Sequence, residues 1–300
     1  MHTVGKTRTG CEHEQYKSQW PALSRLDPAS EWARAGQGAD FVRLASDGQG
    51  GLPELMQLLG ADDTESGSGV DMPAPVSRLH AGDTLFHEGA IAEGIFFVRA
   101  GTFMTFCTGE DGYQQVIGFS GRGELLGFDA IGKGHYTNQV VALEESSVYV
   151  LLLSDYFCFS PRSLALEQAV FHAVSDALQQ RGELADMMAA VAAEVRLARF
   201  LLQLSRRLAI NGLSTRRFHL RMSRRDIASY LGVAHETVSR SFSLLVALGL
   251  VSVNNREVEI LDLAELKSFS SGTRRQVDDS QRVHLQRGTM ARSSPLALAA

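Results

Sequence analysis

Residues 222–240 read Met222-Ser223-Arg224-Arg225-Asp226-Ile227-Ala228-Ser229-Tyr230-Leu231-Gly232-Val233-Ala234-His235-Glu236-Thr237-Val238-Ser239-Arg240. This stretch predicts a helix, a sharp turn and a second helix. Ser223 is a good N-cap, and Asp226 can reach back to it to complete a capping box. Gly232 supplies the turn, since glycine adopts a left-handed backbone without penalty. The second helix is predicted to end at Gly249, which suits the first position after a helix.

The predicted second helix has an apolar face and a polar face. The apolar residues recur at helical spacing and are Val238, Phe242, Leu245 and Val246. The polar residues of the opposite face are Glu236, Ser239, Arg240 and Ser243. Arg can pair with O6 and N7 of guanine, and Glu can accept a hydrogen bond from N4 of cytosine. The polar face is therefore a candidate for reading bases in a major groove. A solvated polar face on a surface helix is the alternative.

A β-hairpin is predicted directly after this helix. Leu250–Val253 and Glu257–Ile260 alternate in polarity and flank the turn-forming residues Asn254-Asn255-Arg256. A hairpin in this position is typical of the wing in a winged helix-turn-helix.

Positive charge is concentrated around the predicted helices. The whole chain carries a net charge of -5, whereas residues 195–256 hold eleven Arg against one Asp and one Glu, a net charge of +9. A basic module on an acidic protein is typical of a domain that binds a phosphate backbone. Some of these Arg could instead be ordinary solubilising charge. The possible further DNA contacts are His235, Ser243, Arg224, Arg225 and Thr237; for His235, capping the helix is the alternative.

Composition limits the class of protein. A length of 300 residues predicts two domains plus tails, and 44% hydrophobic residues suffice for real cores. No apolar run reaches the ~20 residues that span a bilayer, and the first residues lack the apolar core of a secretory signal. A cytoplasmic protein with no membrane partner is therefore expected. Cys11, Cys107 and Cys158 are odd in number and widely spaced, which does not indicate a disulfide framework.

The chain divides into segments of different pattern. Residues 1–70 are expected to be a poorly ordered extension with one short helix near Leu52–Leu59, and residues 271–300 a disordered tail. Residues 76–160 hold short apolar runs between frequent glycines, which predicts a β-roll. Residues 163–210 predict a long helix, and residues 211–270 the winged helix-turn-helix. The expected fold class is therefore α+β.

A dimer seam is predicted along the long helix. Apolar residues there are separated by alternating steps of four and three, as in a coiled coil: Leu184, Met188, Val191, Val195, Ala198 and Leu202. A second copy of the same helix is the simplest partner, and burial would contribute roughly 1.5–3 kcal/mol per large side chain. The alternative is a helix face that packs on its own β-domain.

The order of a β-roll, a long helix and a winged helix-turn-helix resembles the CRP/FNR family of bacterial transcription regulators over about residues 76–270. The stretches that carry the resemblance to the FNR branch are Gly123-Glu124-Leu125-Leu126-Gly127-Phe128-Asp129-Ala130-Ile131-Gly132, Arg196–Leu202, Leu204–Arg207, Arg221–Ile227 and Glu236–Arg240.

The resemblance implies a cyclic-nucleotide-binding-like jelly roll and a homodimer on double-stranded DNA. The implied operator is a palindrome with TTGAT-like half-sites, read by Glu236, Ser239 and Arg240. It also implies RNA polymerase as a partner, with the loop Ser120–Glu124 as one contact surface. His235 departs from the FNR branch, which usually has a small apolar residue there, so recognition of the outer base of the half-site is open.

The signal is less well specified by the resemblance. The cyclic-AMP branch needs an Arg-Ser pair, but residues 123–145 hold no Arg, and Tyr136-Thr137-Asn138 occupies the matching stretch. The iron–sulfur type needs four Cys ligands, and here only Cys11 lies near the N-terminus while Tyr149 aligns with the late ligand. No cofactor is therefore predicted. Haem stays open, because no spacing singles out a ligand among His80, His87, His135 and His172.

Two other functions stay open besides a DNA-binding regulator. One is a β-roll regulatory subunit that acts on a protein partner without reading DNA. The other is a ligand- or haem-gated sensor within the same family. An enzyme is not expected, because the sequence has no nucleophile–base pair, phosphate loop or metal-ligand spacing.

Overall fold

The structure is a computed structural model that describes residues 46–48, 51–60, 72, 74–160, 163–190 and 192–272. The chain forms two compact units, and the division along the chain falls between Leu178 and Gln179. Residues 1–45, 61–71 and 273–300, which include most of the predicted extension and tail, lie outside the described residues, so the predictions made for them stay predictions.

The N-terminal unit is a β-roll, as its short apolar runs between frequent glycines predict, and it is built from two sheets. Its described strands are β1 Ser46–Gly48, β2 Val76–Leu79, β3 Thr84–Phe86, β4 Gly94–Ala100, β5 Phe103–Thr108, β6 Gln114–Ser120, β7 Leu125–Leu126, β8 Gln139–Ala142 and β9 Ser146–Leu152. One sheet has the order β1-β2-β9-β4-β7, and the other has the order β3-β8-β5-β6. Strand β4 lies between β9 and β7 in the first sheet, and Ile95 to Val98 are all buried, so both faces of this strand are covered.

Helices complete the N-terminal unit. Helix α1 (Leu52–Leu58) confirms the short helix expected near Leu52–Leu59, and its side chains Leu52, Leu55 and Met56 lie in the core of the β-roll. Strand β1 pairs antiparallel with β2. This part of the predicted extension therefore belongs to the folded unit. Helix α2 (Leu153–Phe159) follows β9 directly.

The long helix predicted over residues 163–210 is two helices in the structure. Helix α3 spans Leu164–Ala189 and helix α4 spans Ala193–Ile210. This corrects the predicted seam, because Val195, Ala198 and Leu202 of α4 are buried within their own chain. Leu184 and Met188 of α3 are partly buried. Val191 lies outside the described residues.

The C-terminal unit is a winged helix-turn-helix, as predicted. After α4 come β10 (Arg217–His219), α5 (Arg224–Leu231), α6 (His235–Ala247), β11 (Val251–Asn254), β12 (Glu257–Ile260) and α7 (Leu263–Ser271). The three strands form an antiparallel sheet in the order β10-β12-β11. The α+β class with a β-roll, a long helix and a winged helix-turn-helix is confirmed.

Two smaller expectations concern the cysteines and membranes. Cys107 and Cys158 are half-buried, and Cys158 is disulfide-bonded, although the number and spacing of the cysteines did not indicate a disulfide framework. Among the described helices, none combines the length and the apolar character that crossing a membrane requires.

Candidate nucleic-acid interface

The turn between α5 and α6 is fixed by local chemistry that the sequence predicted. The backbone N–H of Ser223 donates to Asp226 Oδ2 at 2.6 Å, and that of Asp226 donates to Ser223 Oγ at 3.2 Å, which completes the capping box. Gly232 ends α5 with a φ of 61°. A Cβ atom there would lie 2.6 Å from Met188 Cε, the mobile end of a flexible side chain, so it is the left-handed backbone that requires glycine.

Helix α6 presents the two predicted faces with one exception. Val238, Phe242 and Leu245 are buried, but Val246 is 44% exposed and does not belong to the apolar face. Ala234 is the N-cap and offers no side-chain hydrogen bond. His235 is therefore the first helical residue rather than the cap, which decides one of the alternatives for this side chain.

The structure brings the predicted base readers together on the exposed face of α6. Glu236, Ser239, Arg240 and Ser243 are all exposed, as is His235. Thr237 is half-buried, and its Oγ1 accepts a hydrogen bond from Arg240 Nη2 at 3.3 Å. This contact holds the guanidinium beside the helix while its other donors stay available. A carboxylate, a hydroxyl and a guanidinium on one open helix face can pair with base edges.

The wing is a tight hairpin that follows α6 directly in the chain. Strands β11 and β12 pair from Val251↔Ile260 to Asn254↔Glu257, and Asn255 in the turn has a φ of 55°. Asn tolerates this left-handed conformation better than most residues. Two side-chain pairs join strands β10 and β12: Arg217 Nη2 lies 2.8 Å from Glu259 Oε1, and His219 Nδ1 lies 2.5 Å from Glu257 Oε1.

Two arginines of the basic stretch are used inside the protein. Arg196 donates from Nε to Ala190 O at 2.7 Å and from Nη1 to Leu231 O at 2.9 Å. Arg199 donates from Nε to Ser270 O at 2.9 Å and from Nη1 to Asp186 O at 2.7 Å. The accepting carbonyls lie at or next to the C-terminal ends of α3, α5 and α7, where cations are favourable. These two residues tie helices together and are not free for a phosphate backbone.

Arg224, predicted as a possible DNA contact, packs against other parts of the DNA-binding unit. Its guanidinium carbon is 3.5 Å from the centroid of the Phe242 ring, and its Nη2 donates to Asn255 O at 3.1 Å. Its neighbour Arg225 is exposed and remains available for DNA. The basic surface therefore rests on the exposed arginines among residues 195–256, which are Arg206, Arg216, Arg217, Arg221, Arg225, Arg240 and Arg256.

An exposed apolar row on α3 was missed by the sequence reasoning. Leu164, Phe171 and Leu178 are 68%, 73% and 56% exposed, and they lie seven residues apart. Another face of the same helix is buried in the β-roll core through Leu166, Ala169, Val170 and Ala173. The seven-residue spacing was the available signal, but positions between these residues, such as Glu167 and Asp176, are charged and obscure it.

The interior of the β-roll is filled by the protein's own aromatic side chains. The rings of Tyr136 and Phe86 stack with centroids 3.9 Å apart, and Tyr136 Oη donates to Gly94 O at 2.8 Å. Burial raises the pKa of Tyr136, so the phenol keeps the proton that it donates. Gly127 makes room for this ring, since a Cβ there would lie 3.0 Å from Tyr136 Cε1.

The loop that resembles a phosphate-binding segment is closed on itself. Asp129 accepts hydrogen bonds from Asn138 Nδ2 at 2.7 Å and from the Thr137 hydroxyl. Glu124, which resembles a ribose-binding carboxylate, accepts from the backbone N–H of Gly121 at 3.2 Å through Oε2. Both carboxylates therefore accept hydrogen bonds from nearby residues of the chain and stabilise the loops in which they lie.

The four histidines considered for haem have ordinary surroundings. His80 pairs with Asp83 at 3.3 Å, His135 lies 3.0 Å from Lys133 O, and the side chains of His87 and His172 are exposed. Within the part of the chain that the structure describes, no group of three or more His, Cys, Asp or Glu could hold a metal ion.

Comparison with known proteins places both units. Residues 76–156 match the family described as the cyclic nucleotide-binding domain, and residues 195–269 match the Crp-like helix-turn-helix domain. The chain is similar to the transcriptional regulatory protein btr of Bordetella pertussis, with 36% identity over 192 residues that cover 64% of this chain and 79% of the relative.

Two further similarities agree with this placement. The fumarate and nitrate reduction regulatory protein of Escherichia coli K12 is 33% identical over 205 residues, which cover 68% of this chain and 81% of that protein. The structure of FixK2 from Bradyrhizobium japonicum has the same fold, with a TM-score of 0.60 and 24% identity over 67% of this chain and 98% of FixK2. The chain belongs to the CRP/FNR family of DNA-binding transcription regulators, and it is not an enzyme.

Proposed function

We propose that the protein binds, as a homodimer, a palindromic operator with TTGAT-like half-sites. The observation that carries the proposal is the exposed cluster of Glu236, Ser239 and Arg240 on α6. Arg240 supplies a fork of donors for guanine, and Glu236 supplies an acceptor for cytosine. A TTGAT half-site contains a guanine on one strand and, opposite it, a cytosine.

The exposed row on α3 supports the dimer. Leu164, Phe171 and Leu178 would lie along one side of a supercoiled helix, because seven residues make two turns of a coiled coil. Burying these side chains against a second copy contributes roughly 1.5–3 kcal/mol each. A symmetric pair of α6 helices then fits two half-sites about one turn of DNA apart.

The operator is tested by measuring binding to a duplex that carries the TTGAT palindrome and to a duplex with scrambled half-sites. We expect at least about a thousandfold tighter binding to the palindrome, as in other specific protein–DNA complexes. A duplex with five base pairs inserted between the half-sites places them on opposite faces of DNA and should lose most of this preference. Equal affinity for the palindromic and scrambled duplexes would reject the proposal. That result would favour a regulator that acts through a protein partner.

RNA polymerase is the proposed partner of the DNA-bound protein. The loop Ser120–Glu124 suits such a contact because it is held in one shape: Gly123 N–H donates to Val98 O at 2.8 Å, and Arg122 Nη1 donates to Arg99 O at 2.9 Å. Transcription in vitro from a promoter with the operator, using Arg122→Glu, measures this contact. Loss of activation with operator binding retained supports it, and unchanged activation removes this loop from the proposal.

For the β-roll we propose that no cyclic nucleotide is bound. Tyr136 and Phe86 fill the interior, and Glu124 and Asp129 hold their own loops. We expect no change in the thermal unfolding midpoint when cyclic AMP or cyclic GMP is added to about 1 mM, because a ligand at a hundred times its Kd would stabilise the protein by about 2.7 kcal/mol. A saturable upward shift with either nucleotide would contradict the proposal. An absorption spectrum of the purified protein tests the open alternative of haem.

A further inference from the structure

We infer that Arg224 is a positioning residue that couples the tip of the wing to the recognition helix α6, and that it makes no contact with a DNA phosphate. The guanidinium lies between two elements: its carbon is 3.5 Å from the centroid of Phe242 on α6, and its Nη2 donates to Asn255 O in the wing turn at 3.1 Å. Arg224 itself is the first residue of α5. One side chain thus joins all three parts of the DNA-binding module.

The exposure of the guanidinium argues against a phosphate contact. Nη1 is buried and forms no hydrogen bond with the residues that the structure describes, so this donor is out of reach of a DNA backbone. Nη2 is already used by the Asn255 carbonyl. Burial lowers the pKa of Arg224, but an arginine stays charged at neutral pH, so the cation interacts with the face of the Phe242 ring.

The coupling acts on the turn of the wing, whose backbone conformation is unfavourable for most residues. Asn255 holds a left-handed φ of 55°, and the turn it forms joins only two short strands, β11 and β12. A hydrogen bond from a cation to the Asn255 carbonyl is stronger than one from a neutral donor. Because Phe242 is a buried residue of α6, this contact sets the position of the wing tip relative to the helix that carries Arg240.

The chain offers a matched control in the next residue. Arg225 is exposed, carries the same charge, and lies on the same first turn of α5. Arg224→Met and Arg225→Met remove one positive charge each, and Arg224→Lys keeps the charge but loses the flat fork that stacks on a ring and reaches the wing. All three are compared with the full-length wild type after their folding has been checked by circular dichroism.

The first measurement is operator affinity as a function of salt, from about 50 to 200 mM, where each phosphate contact contributes about 0.9 to the slope of log K against log salt. We expect Arg224→Met and Arg224→Lys to weaken binding about fivefold, in the range of a lost cation–ring contact, with the slope unchanged. A slope reduced in Arg224→Met, or wild-type affinity in Arg224→Lys, would identify a simple charge contact with DNA and overturn the inference.

The second measurement needs no DNA and therefore stands even if the proposed operator is wrong. Amide hydrogen exchange of β11 and β12 in the free protein should be faster in Arg224→Met and Arg224→Lys than in wild type, and unchanged in Arg225→Met. Phe242→Leu removes the ring, and its effect on wing exchange should not add to that of Arg224→Met, since both break the same contact. Wild-type exchange in the wing of Arg224→Met would reject the coupling.

Discussion

Replacing Phe171 and Leu178 together with glutamate should leave the protein monomeric and lower its affinity for the palindromic operator by at least about a hundredfold. The two side chains are 73% and 56% exposed on one side of α3. In a dimer the two side chains would be buried against the second copy, whereas glutamates facing each other in the same contact would repel and resist burial. Without this contact the two α6 helices no longer bind DNA as one unit, and the gain in affinity from joining two sites, a factor of about 100 to 10,000, is lost.

A matched pair of substitutions distinguishes loss of the contact made by Phe171 and Leu178 from general damage to α3. His172→Glu with Gln179→Glu places the same two charges one residue further along, about 100° around the helix, at positions that are also exposed. We expect this control to sediment as a dimer and to bind the palindrome like wild type. The Phe171 and Leu178 variant should bind an isolated half-site as well as wild type does, because the winged helix-turn-helix is untouched. A dimeric Phe171 and Leu178 variant would contradict the prediction.

The fold could be predicted from the sequence where the chain signals its structure locally. The Ser223–Asp226 capping box, the left-handed Gly232 and the Asn255 turn of the wing each depend on a few neighbouring residues, and all three are present. Whether the long helix is continuous could not be predicted in the same way. The steps of four and three continue from Leu184 to Leu202, but such a repeat shows only which residues are apolar. It does not reveal that the helix breaks before α4 or that α4 is buried by its own chain.

The arginines show why the candidate site could be predicted only in part. A count of charge treats every Arg of the basic stretch alike. In the structure, Arg196 and Arg199 donate to carbonyls near helix ends, and Arg224 lies against Phe242. These contacts join residues that are far apart in the chain, so no local sequence pattern could predict them. The exposed face of α6 was predictable because helical spacing alone decides which residues oppose Val238 and Phe242.

Arg240→Ala should weaken operator binding by about 1–3 kcal/mol for each half-site and should relax specificity at one base pair of that half-site. Arg240 is exposed on α6, and within the described residues its guanidinium is held by a hydrogen bond from Nη2 to Thr237 Oγ1 at 3.3 Å. Pairing with guanine uses two donors at once, so removal of the fork takes away the preference for that base as well as affinity. Arg240→Lys should recover part of the affinity and little of the preference, since an ammonium lacks the two-pronged geometry.

The measurement is a panel of operators in which each base pair of the half-site is changed symmetrically, bound by wild type, Arg240→Ala and Arg225→Ala. For Arg240→Ala, the penalty for a changed base should vanish at one position and persist at all others. Arg225 is exposed on α5 and is expected to meet a phosphate, so Arg225→Ala should weaken every operator by a similar factor and leave the pattern of penalties intact. If Arg240→Ala behaved like Arg225→Ala, with uniform weakening across the panel, Arg240 would contact the backbone and base recognition would have to rest on Glu236 and Ser239.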